Sequence, residues 1–222
     1  MLSKSITVHL LAILISFSIG ICSAEQPRDK IINKAELEKK LEVGDVIFIR
    51  VSTPPFTEIA DTTSSWTNHV GVVIDVSGID TTIAESRFPL SGNTTFSKFV
   101  NRSDKGRVAV TRLPAPLTAA QQKKLRIAAE ARSGIYYDTG FNLHSHKQFC
   151  SRYVREIVTE ATNINIGEVE TFAVLLKNNP NANQIFWKSW FFGSIPWERE
   201  TVTPASELRD KKMHTVFDGH AV

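Results

Sequence analysis

The sequence predicts an α+β domain in which an antiparallel sheet packs against helices. Strand patterns are concentrated in the first half of the chain and helix patterns follow them, an order typical of α+β proteins. Two strand patterns flank the turn signal Ser77-Gly78-Ile79-Asp80, which predicts a hairpin and therefore antiparallel pairing. With 42% apolar and 22% charged residues, the composition is that of an ordinary folded protein.

Residues 1–24 have the three parts of a secretory signal. Lys4 supplies a positive charge, residues 8–21 form an uncharged apolar run, and small residues end at Ala24. The apolar run is shorter than a typical transmembrane helix. We therefore expect cleavage after Ala24 and export to the periplasm or the medium. An uncleaved anchor is the alternative. We expect residues 25–222 to form a single domain.

The first elements of this domain are a tether, a helix and a buried strand. Residues 25–32 resemble a short tether, and residues 33–41 predict a helix with Asn33 as its N-cap. The continuous apolar run 46–49 is typical of a buried strand. Residues 52–66 hold two prolines and many hydroxyl side chains, which predicts a loop with room for one helical turn.

The next patterns are strands. Residues 69–76 are apolar and rich in β-branched side chains, and residues 81–86 predict the strand that returns after the turn. Residues 107–113 alternate polar and apolar side chains, which indicates a further strand. The sheet therefore contains a hairpin.

Two helices follow the strands. Thr118 precedes Gln121 by three residues, the spacing of a capping box, and predicts a helix that ends near residue 132. Residues 150–161 carry apolar side chains at helical spacing. The sequence Thr203-Pro204 indicates an N-cap followed by proline in the first turn of a last helix.

Residues 163–200 match no pattern that we assign, and we interpret them as an insertion or an elaboration of the tail. They contain an aromatic cluster: Phe186, Trp187, Trp190, Phe191, Phe192 and Trp197. Core packing is the simplest interpretation of this cluster. A wall of a substrate groove is a second, and a membrane-facing rim is a third. In the third case Trp187, Trp190 and Phe191 would make a peripheral membrane contact.

Cys150 is the residue on which the functional argument depends. The other cysteine, Cys22, lies in the leader, so the exported chain has one thiol and no internal disulfide. In an oxidising compartment a lone exposed thiol is open to oxidation, so we expect it to be buried or to have a function. Cys150 begins a predicted helix, and a helix N-terminus stabilises a thiolate. The alternative is an inert, buried small hydrophobic residue.

A catalytic thiol needs a base and a group that orients the base. Of the six histidines, only His69 lies on a predicted rigid element with an acid, Glu85, placed to orient it. If the hairpin is centred on Ser77 the two residues are opposed, and if it is centred one residue later they are diagonal neighbours. Both registers place them on one face of the sheet. The alternatives are a histidine bonded to a carbonyl and a glutamate that is exposed or paired with Arg87.

His144 and His146 precede Cys150 and raise the question of a metal site. A fourth ligand is not apparent in the sequence, and loop histidines are commonly solvated. We therefore predict no metal and no cofactor.

The order of four short motifs resembles the YiiX/YebB-like branch of the NlpC/P60 cysteine hydrolases, which are papain-like enzymes with a circularly permuted chain. These motifs are Gly44-Asp45-Val46-Ile47-Phe48, Asn68-His69-Val70-Gly71-Val72-Val73, Ala84-Glu85-Ser86 and Phe149-Cys150-Ser151. As in the permuted branch, the histidine precedes the cysteine. Residues 134–138 resemble the Gly-x-x-Tyr-Asp stretch of the family, and residues 203–205 resemble its C-terminal turn. The likeness covers roughly residues 42–160 and part of the tail.

This chain departs from the family at the residue after Ser151, where the family commonly has glutamate and this sequence has Arg152. The departure bears on substrate details more than on the nucleophile.

The resemblance implies a circularly permuted papain-like fold and a role for each site residue. Cys150 would be the nucleophile, His69 the general base and then acid, and Glu85 the group that orients His69. The oxyanion would be held by the backbone N–H of Cys150, with Asn68 as the candidate second donor.

The function implied is an exported cysteine hydrolase that cleaves an amide through a thioester, most simply in peptidoglycan stem peptides. One alternative is a hydrolase or acyltransferase acting on lipid acyl esters or amides. Another is a binding module for the cell wall without catalysis. The formal charge is +3, and it becomes +2 without the leader and its one lysine. Such a weak positive charge does not indicate a nucleic-acid partner.

Overall fold

The computed structural model describes residues 30–180 and 182–222, and the predicted leader with its cleavage site after Ala24 lies outside this part of the chain. Nine strands lie within it: β1 (Lys30–Ile32), β2 (Val46–Ile49), β3 (His69–Asp75), β4 (Thr82–Glu85), β5 (Gly92–Thr95), β6 (Arg107–Arg112), β7 (Val169–Thr171), β8 (Glu200–Val202) and β9 (His214–Ala221). Seven of these strands form one sheet in the order β1-β9-β6-β2-β3-β4-β5, and β7 pairs with β8. All pairs are antiparallel except β1 with β9.

The helices of the described residues are α1 (Lys34–Glu38), α2 (Pro54–Thr62), α3 (Phe96–Val100), α4 (Ala119–Ala131), α5 (Cys150–Thr162), α6 (Phe172–Asn178), α7 (Gln184–Trp190) and α8 (Pro204–Leu208). The capping box of Thr118 and Gln121 begins α4 as predicted. Thr203 caps α8, and Pro204 occupies its first turn. None of these helices is long and apolar enough to cross a membrane.

Apolar residues cover both faces of the sheet. Along β2, Val46 and Phe48 belong to the core that α4 and α5 complete, whereas Ile47 and Ile49 belong to a second core on the opposite face. All four side chains are fully buried, which explains why the run 46–49 has no polar alternation. The predicted α+β fold, an antiparallel sheet packed against helices, is confirmed.

Several regions differ from the sequence prediction. The predicted loop 52–66 contains the nine-residue helix α2, because its two prolines lie in the first turn, where a missing N–H is tolerated. The predicted tether contains β1, and β9 extends the sheet in the tail. Gly219 permits the close approach of β1 and β9, since a Cβ there would lie 2.1 Å from the carbonyl oxygen of Lys30.

Residues 172–180 and 182–197, which we call the aromatic segment, form a small core of their own. Phe172, Leu176, Trp187 and Ile195 are buried there, and the rings of Phe172 and Trp187 meet edge to face. The strands β7 and β8 flank the segment and join it to the rest of the chain.

Candidate active site

The structure brings His69 and Glu85 together. His69 begins β3 and Glu85 ends the adjacent antiparallel strand β4. The Nε2 atom of His69 lies 2.6 Å from Oε2 of Glu85, and both side chains are buried. The predicted proximity of the two residues is therefore confirmed.

The register of the hairpin is the diagonal one. Val72 pairs with Ala84 and Val73 with Ile83, so the hairpin is centred one residue after Ser77. His69 and Glu85 are consequently diagonal neighbours on one face of the sheet, as the second of the two predicted registers requires.

Two arginines also bind Glu85. The Nη2 atom of Arg102 lies 2.8 Å from each carboxylate oxygen, and Nε of Arg87 lies 3.4 Å from Oε1. Burial alone would raise the pKa of Glu85, but hydrogen bonding and charge from His69 and Arg102 outweigh it and hold the pKa below its usual value. Glu85 is therefore an ionised carboxylate that three cationic or hydrogen-bonding groups keep in place.

Sequence reasoning missed Arg102. It follows α3, an element that the sequence patterns did not predict, and it lies 17 positions from Glu85. No local spacing connects the two residues, so only the fold could reveal the contact.

Aromatic side chains fix the imidazole of His69. The ring of Phe99 stacks on it at 5.6 Å between centroids, and Phe56 approaches edge to face at 6.0 Å. Gly71 makes room for this arrangement, because a Cβ there would lie 2.8 Å from the ring of Phe99 and 2.7 Å from Ile83. The other ring nitrogen of His69, Nδ1, is buried and has no hydrogen-bond partner among the described residues. It is the nitrogen that remains available for a thiol.

Cys150 begins α5, as predicted, and is 3% exposed. The strand-like segment before it is tied to β4, because the hydroxyl of Ser86 donates to the carbonyl of Gln148 at 3.0 Å. Behind it, the hydroxyl of Ser151 donates to the carbonyl of Val202 at 2.8 Å. The start of α5 is thereby held between the sheet and β8.

The electrostatics of Cys150 and His69 are those of an interacting pair. Burial opposes charge on both groups. Their mutual interaction nevertheless lowers the pKa of the Cys150 thiol and, together with Glu85, raises the pKa of His69 to about 9. These directions favour a thiolate beside an imidazolium. This is the state of an activated thiol nucleophile.

Tyr137 is a second residue that the sequence argument did not assign. Its hydroxyl lies 4.0 Å from Sγ of Cys150 and is buried. Burial raises the pKa of Tyr137 well above its usual value, whereas interaction with the backbone N–H of Cys150 lowers it. The phenol therefore stays protonated and can donate a hydrogen bond beside the thiol. The only signal in the sequence was its place in the Gly-x-x-Tyr-Asp resemblance.

The side chain of Asn68, the residue named above as the candidate second oxyanion donor, is hydrogen-bonded within the protein. Its Oδ1 accepts from the backbone N–H of Val51 at 2.8 Å. Its Nδ2 donates to the carbonyls of Val51 and Phe56 at 2.9 and 2.8 Å. No donor of this amide is left for a substrate, so Asn68 supports the loop in front of His69 instead.

His144 and His146 do not join Cys150. Both are exposed, and Nε2 of His144 lies 2.7 Å from Oε2 of Glu200. Among the described residues, no group of three or more His, Cys, Asp and Glu side chains is arranged to hold a metal ion.

A cleft with about 430 Å³ of empty space, part of it open to solvent, lies against Cys150. Its walls come from α2, from the segment around Tyr137 and Phe149, from α6 and α7, and from β8 with the residues after it. Trp187 lines this cleft and is 2% exposed, so it is unavailable for the predicted membrane contact. Contact through Trp190 and Phe191, which are partly exposed, stays a prediction.

Three comparisons with known proteins identify the family and the fold of the chain. The sequence model of a family described as permuted papain-like amidase enzymes, YaeF/YiiX, C92 family, matches residues 40–217. The protein YiiX of Escherichia coli (strain K12) is 24% identical over 175 residues, which are 79% of this chain and 85% of that protein. The crystal structure of the metalloprotein YiiX from Escherichia coli O157:H7 superimposes with a TM-score of 0.73 at 25% identity, covering 80% of this chain and 97% of that one.

Proposed function

Because the chain belongs to the permuted papain-like amidase family and is therefore a cysteine hydrolase, we propose that Cys150, His69 and Glu85 are its catalytic residues. The observation that carries this assignment is the buried contact of 2.6 Å between His69 and Glu85, which leaves Nδ1 of His69 free to serve Cys150. Cys150 is also the one free cysteine among the described residues.

In the proposed reaction the Cys150 thiolate attacks the carbonyl carbon of an amide. The C–S bond forms, the C–N bond breaks, and the imidazolium of His69 gives its proton to the leaving amine. Water then attacks the thioester carbonyl while His69 accepts its proton, the C–S bond breaks, and the acid product leaves with the Cys150 thiolate and the His69 imidazolium restored. Glu85 stabilises the imidazolium in the resting state and again during hydrolysis of the thioester.

Two donors would hold the oxyanion in this reaction. One is the backbone N–H of Cys150 at the start of α5, and the other is the hydroxyl of Tyr137, 4.0 Å from the sulfur. Both groups are fixed by the fold before substrate binds, which is the condition for effective electrostatic stabilisation. Arg102 acts through Glu85 as a positioning residue.

Peptidoglycan stem peptides are the substrate class that the sequence resemblance suggests, and export through the leader over residues 1–24 would deliver the enzyme to them. A second candidate is a lipid acyl amide or ester. The apolar walls of the cleft beside Cys150 favour it. A binding module without catalysis is the weakest candidate, because the site keeps a complete nucleophile, base and orienting acid.

The solved relative is described as a metalloprotein. In the part of this chain that the structure describes, no cluster of three or more His, Cys, Asp and Glu side chains fits a metal ion, so we derive no step through one.

The test is detection of the acyl-enzyme by intact mass spectrometry after incubation with muropeptides and, separately, with phospholipids. We expect an adduct on the wild-type protein that is absent from Cys150→Ala. Tyr153→Phe is a suitable control, because Tyr153 lies in the same helix and its hydroxyl bonds to Ala129 rather than to the site. Turnover of either substrate by Cys150→Ala would contradict the thiol mechanism.

A further inference from the structure

We propose that Arg152 is a positioning residue of the reaction, which holds the loop of residues 139–147 and thereby sets the position of the Tyr137 hydroxyl relative to Cys150. The inference rests on the proposed function, in which this hydroxyl is one of the two oxyanion donors. It also gives a role to the residue at which the sequence departs from the glutamate that is common in the family.

The loop joins the two groups whose separation matters for the reaction. Residues 139–147, all within the described part of the chain, follow Tyr137, lead to Cys150 and contain no helix or strand. The ends of the loop are brought together by Tyr137 and Gln148, which pair as an isolated parallel bridge. The backbone N–H of Asp138 donates to the carbonyl of Gln148 at 2.7 Å. A shift of Gln148 would therefore move Tyr137, whose hydroxyl lies 4.0 Å from Sγ of Cys150.

Arg152 lies in the first turn of α5 and binds the last part of this loop. Its Nη1 atom lies 2.6 Å from the carbonyl oxygen of Ser145, 3.0 Å from that of Lys147 and 3.5 Å from that of Asn142. The side chain of Arg152 is only 13% exposed. Hydrogen bonds from a charged donor are stronger than those between neutral groups. The guanidinium therefore ties the loop to the helix that begins at Cys150.

Other groups hold the first part of the loop. Nε1 of Trp190 donates to the carbonyl of Thr139 at 2.9 Å, and Nη1 of Arg199 donates to that of Gly140 at 2.8 Å. Backbone carbonyls without a regular secondary-structure partner need such donors when they are shielded from water. Arg152 has the corresponding role at the other end of the loop.

Glu156 holds Arg152 in place. Nε of Arg152 lies 2.6 Å from Oε1 of Glu156, one helical turn further on. Nε2 of Gln148 donates to Oε2 of the same carboxylate at 2.8 Å, and Nε of Arg132 does so at 3.1 Å. Burial raises the pKa of Glu156, but hydrogen bonds from Arg152 and Gln148 outweigh it and hold the pKa below its usual value. One ionised carboxylate thus connects Arg152 to Gln148, the residue that pairs with Tyr137.

The residue type at position 152 decides whether this network forms. A guanidinium presents several N–H groups in one plane, so it binds the Glu156 carboxylate with one nitrogen and loop carbonyls with another. A lysine ammonium keeps the charge without that geometry. A glutamate has no donor for the carbonyls, and Glu156 at the i+4 position would repel it. We therefore expect the loop of this chain to depend on arginine.

The experiment is a double-mutant cycle with p-nitrophenyl acetate as the probe. The Cys150 thiolate attacks the ester carbonyl, the C–S bond forms, the C–O bond breaks and p-nitrophenolate leaves; water then hydrolyses the thioester to acetate. Tyr137→Phe should lower kcat/KM about 10²-fold, because it removes one oxyanion donor. Arg152→Lys should lower it about tenfold, because it displaces that donor. In the Tyr137→Phe protein, Arg152→Lys should cost less than about twofold, since the group that it positions is already gone.

A second readout separates positioning from damage to the fold or to the nucleophile. Alkylation of Cys150 by iodoacetamide forms no oxyanion, so Arg152→Lys should react at the wild-type rate. Arg155→Lys is the matched control, because Arg155 lies in the same helix and its Nη1 donates to the carbonyls of Ile166 and Gly167 beyond the end of α5. We expect this control to keep the wild-type kcat/KM. The thermal unfolding midpoint is measured for every variant.

Equal losses from Arg152→Lys with and without the Tyr137 hydroxyl would overturn the inference. Slower alkylation of Cys150 in Arg152→Lys would also overturn it, as would an equal loss of activity in Arg155→Lys. If the wild type hydrolyses the probe no faster than Cys150→Ala, the proposed function fails instead.

If Arg152→Lys does not fold, Glu156→Gln decides the outcome. This variant removes the charge that holds Arg152 but keeps the size of the side chain. It should lower kcat/KM several-fold when Tyr137 is present and leave it unchanged in Tyr137→Phe. Equal losses in the two backgrounds would contradict the positioning role.

Discussion

The proposed catalytic frame, formed by Cys150, His69, Glu85, Arg102 and Tyr137, and the aromatic segment are held by different forces. Charge-assisted hydrogen bonds fix the frame, with contacts of 2.6 Å from His69 and 2.8 Å from Arg102 to one carboxylate. Stacked and edge-to-face rings fix the aromatic segment. The frame comes from strands and helix starts whose patterns are visible in the sequence, whereas the aromatic segment has no such pattern.

Because of this difference, we expect substitutions in the two regions to change different properties, the rate of the reaction in the frame and the preferred substrate in the aromatic segment. A hydrogen-bonded frame tolerates almost no change of residue type, because each group has a protonation state to keep. A packed aromatic wall tolerates changes of shape at modest cost, provided that volume and burial are preserved. Substitutions in the frame should therefore abolish turnover of every substrate, and substitutions in the aromatic segment should change which substrate is preferred.

The largest effect is expected from the frame itself. Cys150→Ala and His69→Ala should each lower kcat/KM by about 10⁴-fold or more, because neither the nucleophile nor the proton carrier has a substitute. Cys150→Ala should be the more severe of the two and should fold normally. The measurement is turnover of an acyl substrate, with the thermal unfolding midpoint as control. Activity in Cys150→Ala would remove the frame from the mechanism.

Glu85→Gln should cost less, about 10²-fold in kcat/KM. An amide can still accept a bond from His69, but it no longer stabilises the imidazolium. Steady-state kinetics on the same substrate give the comparison. A loss greater than that of His69→Ala would show that Glu85 does more than orient the base.

The pH dependence of Cys150 alkylation by iodoacetamide tests the thiolate–imidazolium pair. Since the pKa of His69 is raised to about 9 and that of Cys150 is lowered, the pair is lost as pH rises through about 9. At pH 7 Cys150 of the wild type should react about tenfold faster than Cys150 of His69→Ala. Without His69 the thiol is an ordinary one, of which only a few per cent is ionised at this pH. Indistinguishable rates would mean that His69 does not activate the sulfur.

A smaller effect is expected from the arginines on Glu85. Arg102→Met removes two contacts of 2.8 Å, so the pKa of Glu85 should rise and the acidic limb of the activity profile should move to higher pH. Arg87→Met is the matched control, because Arg87 lies at 3.4 Å and its side chain is 40% exposed. Equal profiles for the two variants would leave Arg102 with a structural role only.

The smallest effect is expected at the outer surface of the aromatic segment. Phe192 is 100% exposed and makes no wall of the cleft, so Phe192→Ser should change the free energy of unfolding by less than about 0.5 kcal/mol. The kcat/KM for an acyl substrate should stay that of the wild type. A changed kcat/KM would show that the substrate site extends further than the cleft beside Cys150.

Local patterns in the sequence predicted much of this protein. The capping box at Thr118, the cap at Thr203 and the start of α5 at Cys150 are confirmed, because caps and helical periodicity depend on residues within a few positions of one another. The same holds for the hairpin that places His69 beside Glu85, since a strand repeat of two residues leaves only two faces to choose from.

Only the tertiary structure decided the rest. Arg102 and Tyr137 reach the site from parts of the chain that no local spacing links to Glu85 or Cys150. The side-chain amide of Asn68 is hydrogen-bonded to a neighbouring loop. The sequence also left the inward direction of the Trp187 side chain undetermined, because the same run of aromatic residues is compatible with a core, a groove or an exposed rim. Burial depends on which distant surfaces meet, and that is a property of the whole fold.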